Sequence, residues 1–205
     1  MIPTLNQVTA GGGLPLQEYV ELARRHRFVG VEYSIREAAA AVDAQGFETV
    51  AAWFENAGVL PAVFGLPVEW RKDETAFQAD LKELPALAKL AQDLDCTRCT
   101  TWVPPATDEP AAEYSARAIR RLGEIACVLT ESGVRLGLEF LGPAHFRPDP
   151  AKVWFADLAG ALEAVERVEE THLLENVGLL IDSWHWYTSG DAIMDLAAVP
   201  LEQIV

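Results

Sequence analysis

Short apolar runs alternate with longer amphipathic segments along the whole chain, and this alternation limits the possible folds more than any other feature. Residues 28–33 (FVGVEY), 59–64 (VLPAVF), 99–103 (CTTWV), 134–140 (VRLGLEF) and 177–181 (VGLLI) carry β-branched and aromatic side chains between Gly and Pro punctuation, which predicts strands. Residues 4–9 open the series, and residues 201–205 read as one more strand beginning. Between them, residues 16–26, 47–56, 74–94, 111–132 and 154–169 place apolar side chains at helical spacing, with a shorter helix over 191–198. Gly133, after Glu131-Ser132, suits a C-cap glycine. Repeated β-α order implies a parallel sheet covered by helices, and nearly continuous apolar strands agree with burial on both faces.

Two architectures share this order, the doubly wound open sheet and the (β/α)8 barrel. A G-x-G-x-x-G turn after the first strand would favour the open sheet. Gly11-Gly12-Gly13 lies near that place without the spacing and reads as a loop. Polar residues at strand ends, Glu32, Glu139 and Asp182, favour the barrel, whose catalytic residues sit at the C-terminal ends of its strands. Six βα units and the start of a seventh strand can be counted in 205 residues, where a full barrel typically takes about 250. The expectation is an α/β chain forming most of a (β/α)8 barrel, C-terminally truncated inside strand seven, with strand eight absent. No linker or low-complexity tract divides it, so one domain is expected over residues 1–205.

Sixteen basic against 31 acidic residues give a formal charge of −15. Nucleic-acid binders need a basic footprint, and the basic clusters Arg24-Arg25 and Arg120-Arg121 are too short to supply one. A small-molecule partner fits better. Cys96, Cys99 and Cys127 do not form a disulfide framework in a chain this long. Cys96-x-x-Cys99 reads either as a redox or zinc motif or as two thiols opening a buried strand. A zinc ribbon needs a second pair, which is missing. Reduced thiols suit a cytoplasmic setting. Residues 1–10 lack a basic n-region and an apolar h-region and read as the start of the fold. No apolar stretch approaches the roughly 20 residues of a membrane span.

The chemistry gathers in two segments. In Arg135-Leu136-Gly137-Leu138-Glu139-Phe140, strand alternation sets Glu139 on the face of Gly137, with Leu138 and Phe140 towards the helices. A carboxylate inside a barrel is costly unless paired or metal-bound. Alternatively, Glu139 is a strand-end carboxylate held by an arginine or by water. In the second segment Asp182 ends a strand and His185 follows three residues later, a spacing that lets both converge on one metal or substrate. The plainer alternative is an N-capping Asp beside a hydrogen-bonded His.

The strand-end Glu of GLEFLGP (137–143) followed by LLIDSWHWYTSG (179–190) resembles the xylose isomerase-like superfamily. Within it the sequence is most similar to the sugar phosphate isomerase/epimerase group, which also includes ketose epimerases and inosose dehydratases. The resemblance runs from Leu5 to Val205 and takes in CTRCTTWVPP (96–105) as the fourth-strand region. It implies a divalent metal, Mn²⁺, Mg²⁺, Co²⁺ or Zn²⁺, at the barrel mouth, held by ligands from strands five to eight. Glu139 matches the strand-five ligand and Asp182 the strand-six ligand. His185 matches a histidine that contacts substrate or a further metal. The strand-seven His or Gln and the strand-eight Glu would fall beyond Val205.

The implied reaction is proton transfer next to the carbonyl of a sugar or cyclitol, with Glu139 as one of two flanking glutamates. Around the mouth, Glu32, Trp102 and Arg147 are expected substrate contacts. Arg147 would meet an oxyanion or remain a solvated loop arginine, and Trp102 and Trp70 would stack on a sugar or cover the rim. His145 shares the loop of Arg147, while His26 and His172 are expected to be structural or exposed. An apurinic endonuclease of the same superfamily would need histidines at the ends of strands three and four, where Phe64-Gly65-Leu66 and Thr101-Trp102-Val103 stand. A non-catalytic fragment or binding module is the other alternative, because an open sheet leaves edges that could also favour a homo-oligomer. Little isomerase activity is expected from the 205 residues alone.

Overall fold

Six strands, β1 (Thr4–Leu5), β2 (Gly30–Tyr33), β3 (Leu60–Gly65), β4 (Arg98–Val103), β5 (Arg135–Phe140) and β6 (Val177–Leu180), form one sheet in the computed structural model. The structure describes residues 2–149 and 152–205. Met1, the first residue of the segment read as the start of the fold, lies outside the described residues, as do Pro150 and Ala151. The spatial order is β1-β2-β3-β4-β5-β6, and every neighbouring pair is parallel. A doubly wound sheet reverses its order at a switch point; this one never does. With right-handed crossovers, an unbroken order places all the helices on one face and makes the other face an interior. The sheet is therefore barrel-type.

The helices are α1 (Leu16–Arg25), α2 (Ile35–Gln45), α3 (Phe47–Ala57), α4 (Glu74–Asp93), α5 (Ala111–Glu131), α6 (Leu158–His172), α7 (Ser183–Ser189) and α8 (Ile193–Ala198). Leu136, Leu138 and Phe140 of β5 face this layer and are buried with Leu122, Ile125 and Leu129 of α5 in a continuous hydrophobic cluster. Each such side chain contributes about 1.5–3 kcal/mol when fully removed from water. Cys96 and Cys99 are free buried thiols at the start of β4, and burial raises the pKa of both. Among the described residues, no helix is long and apolar enough to cross a membrane.

The structure corrects several boundaries. The first strand is two residues instead of six, because the side chain of Asn6 turns the chain back, its Oδ1 accepting from Val8 N at 2.8 Å and Thr9 N at 3.2 Å. Residues 201–203 form a turn of 3₁₀ helix after Pro200, and sheet pairing begins only at Ile204. Ile204 bridges Leu179 in parallel, and Val205 N donates to Leu179 O at 2.9 Å. The sixth long helix starts at Leu158, where Asp157 caps Gly160 N at 2.8 Å, and not at Trp154, which stacks edge-on against Tyr114. Two helices absent from the sequence reading are present. α2 starts at the N-cap Ser34, and its Ala-rich sequence shows no strong apolar stripe. α7 is seven residues long and is capped by Asp182.

Candidate active site

Strand register places the site. Thr100 of β4 lies level with Gly137 of β5, and Trp102 with Glu139. Glu139 in turn lies level with Leu180 of β6. These residues share the interior face at the C-terminal end of the strands, where a barrel carries its chemistry. Asp182 follows two residues after Leu180. Thr100, Trp102, Glu139, Leu180 and Asp182, together with Asn6, Glu32, Gly65, Leu66, Arg71 and Thr101, line a cleft of about 400 Å³.

Glu139, half-buried at the floor of this cleft, has its pKa pushed up from 4.5 to about 7. Burial is the main cause, followed by the negative charges of Asp182 and then Glu32. Asn6 Nδ2 donates to Glu32 Oε2 at 2.5 Å and so orients the third acid of the group. Among the described residues, Asp182 is hydrogen-bonded through one oxygen, its Oδ1 accepting from Trp184 N at 2.7 Å and His185 N at 3.1 Å. The N-capping role and the cleft-facing role are therefore both real, carried by one carboxylate.

Of the six residues singled out from sequence, Glu32, Trp102, Glu139 and Asp182 line the cleft, whereas His185 and Arg147 are not among its lining residues. His185 is half-buried, and its Nδ1 is buried without a partner among the described residues. Arg147 turns back onto its own loop, Nη2 donating to Gly142 O at 2.9 Å. Sequence reasoning missed Arg71, Asn6 and Thr101. Asn6 directly follows β1 and Thr101 precedes Trp102, so strand-end position was the available signal for both. Arg71 sits in the loop after β3, next to Trp70, with no motif to mark it.

The donor chemistry of the cleft suits a divalent cation. The charge of Asp182 adds to the cost of ionising Glu139, and a cation between the two would offset it. Oxygen donors fit Mg²⁺ or Mn²⁺ and are compatible with Zn²⁺. Among the described residues, no group of three His, Cys, Asp or Glu side chains converges closely enough to hold an ion, so Glu139 and Asp182 form a pair and not a full coordination shell.

Residues 18–204 match the family described as xylose isomerase-like TIM barrel. The chain belongs to that family. A xylose isomerase domain protein from Alicyclobacillus acidocaldarius subsp. acidocaldarius is 32% identical with a TM-score of 0.86, the match covering 100% of this xylose isomerase-like chain and 71% of that one. An IOLI protein with a bound zinc atom is 21% identical, with a TM-score of 0.76 and coverage of 100% and 70%. A D-psicose 3-epimerase, solved in the presence of D-fructose, is 16% identical, with a TM-score of 0.72 and coverage of 94% and 67%. At these identities the last two share the fold. No curated protein matches the chain in sequence.

Proposed function

We propose that the cleft is a divalent-metal site for moving a proton next to the carbonyl of a sugar or cyclitol, which is isomerase or epimerase chemistry. The observation that carries this reading is the placing of Glu139 and Asp182 at adjacent strand ends in one cleft. A carboxylate held beside the reacting carbon can take a proton and return it. The zinc of the IOLI protein and the ketose epimerase among the structures of this fold agree with the reading.

Glu139 and the unbonded side of Asp182 would hold the metal. When bound, such an ion polarises a carbonyl and acidifies the neighbouring C–H. Glu139 carries the proton between carbon and the cleft. Asp182, which lines the cleft, is fixed through Oδ1 by the backbone of α7, leaving its other oxygen for the ion. Glu32, held by Asn6, offers an acceptor to substrate hydroxyls. Trp102, level with Glu139 on the neighbouring strand and 44% exposed, gives a sugar ring a flat surface. His185 is proposed as an auxiliary contact that reaches the substrate only if its ring turns towards the cleft.

The test pairs metal analysis with isotope exchange. Wild-type protein reconstituted with Mn²⁺, Mg²⁺, Co²⁺ or Zn²⁺ should retain one of them after desalting, and Glu139→Gln and Asp182→Asn should retain less. Incubation with D-fructose in D₂O should then exchange the hydrogen on the carbon beside the carbonyl, slowly, because the pair is not a full coordination shell. Equal metal retention by all three proteins, with no exchange, overturns the proposal.

A metal-free binding module is the second reading, favoured because, among the described residues, no three His, Cys, Asp or Glu side chains come close enough together to hold an ion. The endonuclease reading lacks the histidines it needs at the ends of β3 and β4, where Gly65, Leu66, Thr101 and Trp102 line the cleft.

A further inference from the structure

Among the described residues, Arg71 is the one Lys or Arg that lines the cleft. Its guanidinium lies over the Trp102 ring, 4.1 Å from the centroid, and 5.1 Å from that of Trp70. Nη1 donates to Thr101 Oγ1 at 3.1 Å and to Trp102 O at 3.4 Å. Nε lies 3.2 Å from Glu69 Oε1. Nη2 has no partner among the described residues, and the side chain is only 20% exposed.

This position is built from both sides. Arg121, a buried cation of α5, donates to Trp70 O at 2.7 Å and Lys72 O at 2.6 Å, the two carbonyls that flank residue 71. Trp70 Nε1 donates to the same Thr101 hydroxyl that receives Arg71. The loop between β3 and α4 is thus clamped, and the guanidinium is held before any ligand arrives. Such pre-organisation lowers the entropic cost of binding.

The acids of the cleft do not account for this cation. Among the described residues, Arg71 forms no ion pair with Glu32, Glu139 or Asp182, its carboxylate contact being Glu69. Burial works against the charge of Arg71 more strongly than Glu69 supports it. The cleft is therefore divided, with carboxylates at β2, β5 and β6 and a partly desolvated, under-neutralised guanidinium over β4. A ligand that satisfies both sides must offer hydroxyl or carbonyl oxygens at one end and an anion at the other.

We propose that Arg71, with Thr101, is an anion subsite, and that the substrate is a polyhydroxy acid whose carboxylate meets Arg71 while its oxygens reach Glu139 and Asp182. The inference rests on the polyol reading of the site given above. A carboxylate matches the subsite better than a phosphate: one guanidinium, already shared with Glu69, balances a single planar charge. The three surrounding carboxylates would oppose a dianion.

The experiment compares three ligands with one carbon skeleton, D-gluconate, D-glucitol and D-glucose 6-phosphate, by isothermal titration with and without added Mn²⁺. Wild-type protein should bind D-gluconate most tightly. Arg71→Gln should weaken D-gluconate at least about tenfold, the loss expected for a charge-assisted bond, and leave D-glucitol within about twofold. Arg71→Lys, which keeps the charge and much of the packing but loses the planar fork, should fall between them. Circular dichroism and a urea midpoint establish that each variant is folded. D-gluconate binding that is absent, no tighter than that of D-glucitol, or unchanged in both Arg71 variants overturns the subsite. A preference for D-glucose 6-phosphate that disappears in Arg71→Gln overturns the carboxylate assignment in favour of phosphate. Metal dependence separates the two proposals. D-glucitol binding that needs Mn²⁺ but is indifferent to Arg71 leaves the metal site standing without the subsite. Arg71-dependent D-gluconate binding that ignores Mn²⁺ leaves the subsite standing without the metal site.

Discussion

Glu139 gains its chemistry from its neighbours, and the same neighbours make it destabilising when ionised. Its folded-state pKa of about 7 lies above the ordinary 4.5, so the folded chain binds this proton more tightly than the unfolded chain. Stability from this group is therefore greatest at low pH and is lost as pH rises between about 4.5 and about 7. Metal-free wild-type protein should show a melting temperature that falls across this window, and Glu139→Gln should flatten the slope; an unchanged slope would mean that the carboxyl is not raised. Asp182 offers a second test, because it does two jobs. Asp182→Asn keeps an oxygen for the amides of Trp184 and His185 and should lose metal retention with little change in stability. Asp182→Ala removes the cap as well and should cost a further ~1 kcal/mol in urea unfolding. Equal stability of the two variants would show that the cap is idle. At this scale the sequence was readable where a carboxylate closes an apolar strand, as at Glu139 and Asp182. It was unreadable at Arg71, because nothing in Glu69-Trp70-Arg71-Lys72 separates a clamped cleft arginine from a solvated one. The clamp comes from Arg121, 50 positions away in the chain.

Gly142 shows how neighbouring loops support the site. A Cβ added there would overlap the His185 carbonyl oxygen and lie 2.7 Å from Ser189 N, so the loop after β5 rests directly on the backbone of α7. Gly142→Ala must push α7 away, and with it the capping amides that hold Asp182. The expected cost is about 1–3 kcal/mol of stability, accompanied by weaker metal retention. Urea unfolding and metal analysis measure the two effects, and loss of stability with full metal retention would show that α7 moves without disturbing Asp182. The repeating strands and long amphipathic helices were legible because their periodicity is written into residue type. α2 was not, since Arg36-Glu37-Ala38-Ala39-Ala40-Ala41 has high helix propensity and little amphipathic contrast. Nor was α7, whose limits are set by the Asp182 cap and the left-handed Gly190. The first strand was overread because Asn6 folds its side chain back onto the next two amides, a local turn that competes with extended backbone.

The strand order seen in the whole molecule was implied by β-α alternation and by acids at strand ends; the path of the C-terminal segment was not. Residues 203–205 pass close against the interior face, and Gly178 makes room for them: an added Cβ would stand 2.5 Å from Gln203 O and 2.9 Å from Val205 Cγ2. Arg135 secures the same segment, Nη1 donating to Ile204 O at 3.0 Å and Nη2 to Glu202 O. Gly178→Ala should therefore release residues 203–205, speeding hydrogen exchange at the Val205 amide and costing about 1–3 kcal/mol; unchanged protection of that amide would show that the segment adjusts around the methyl group. The charge pattern has a further consequence, for the timing of encounters. A chain of net charge −15 with three acids gathered at its cleft attracts cations from a distance and repels anions. Added salt thus acts in opposite senses, slowing the capture of a metal ion and quickening the arrival of an acid, and dilute buffer favours a sequence of events in which the metal comes first.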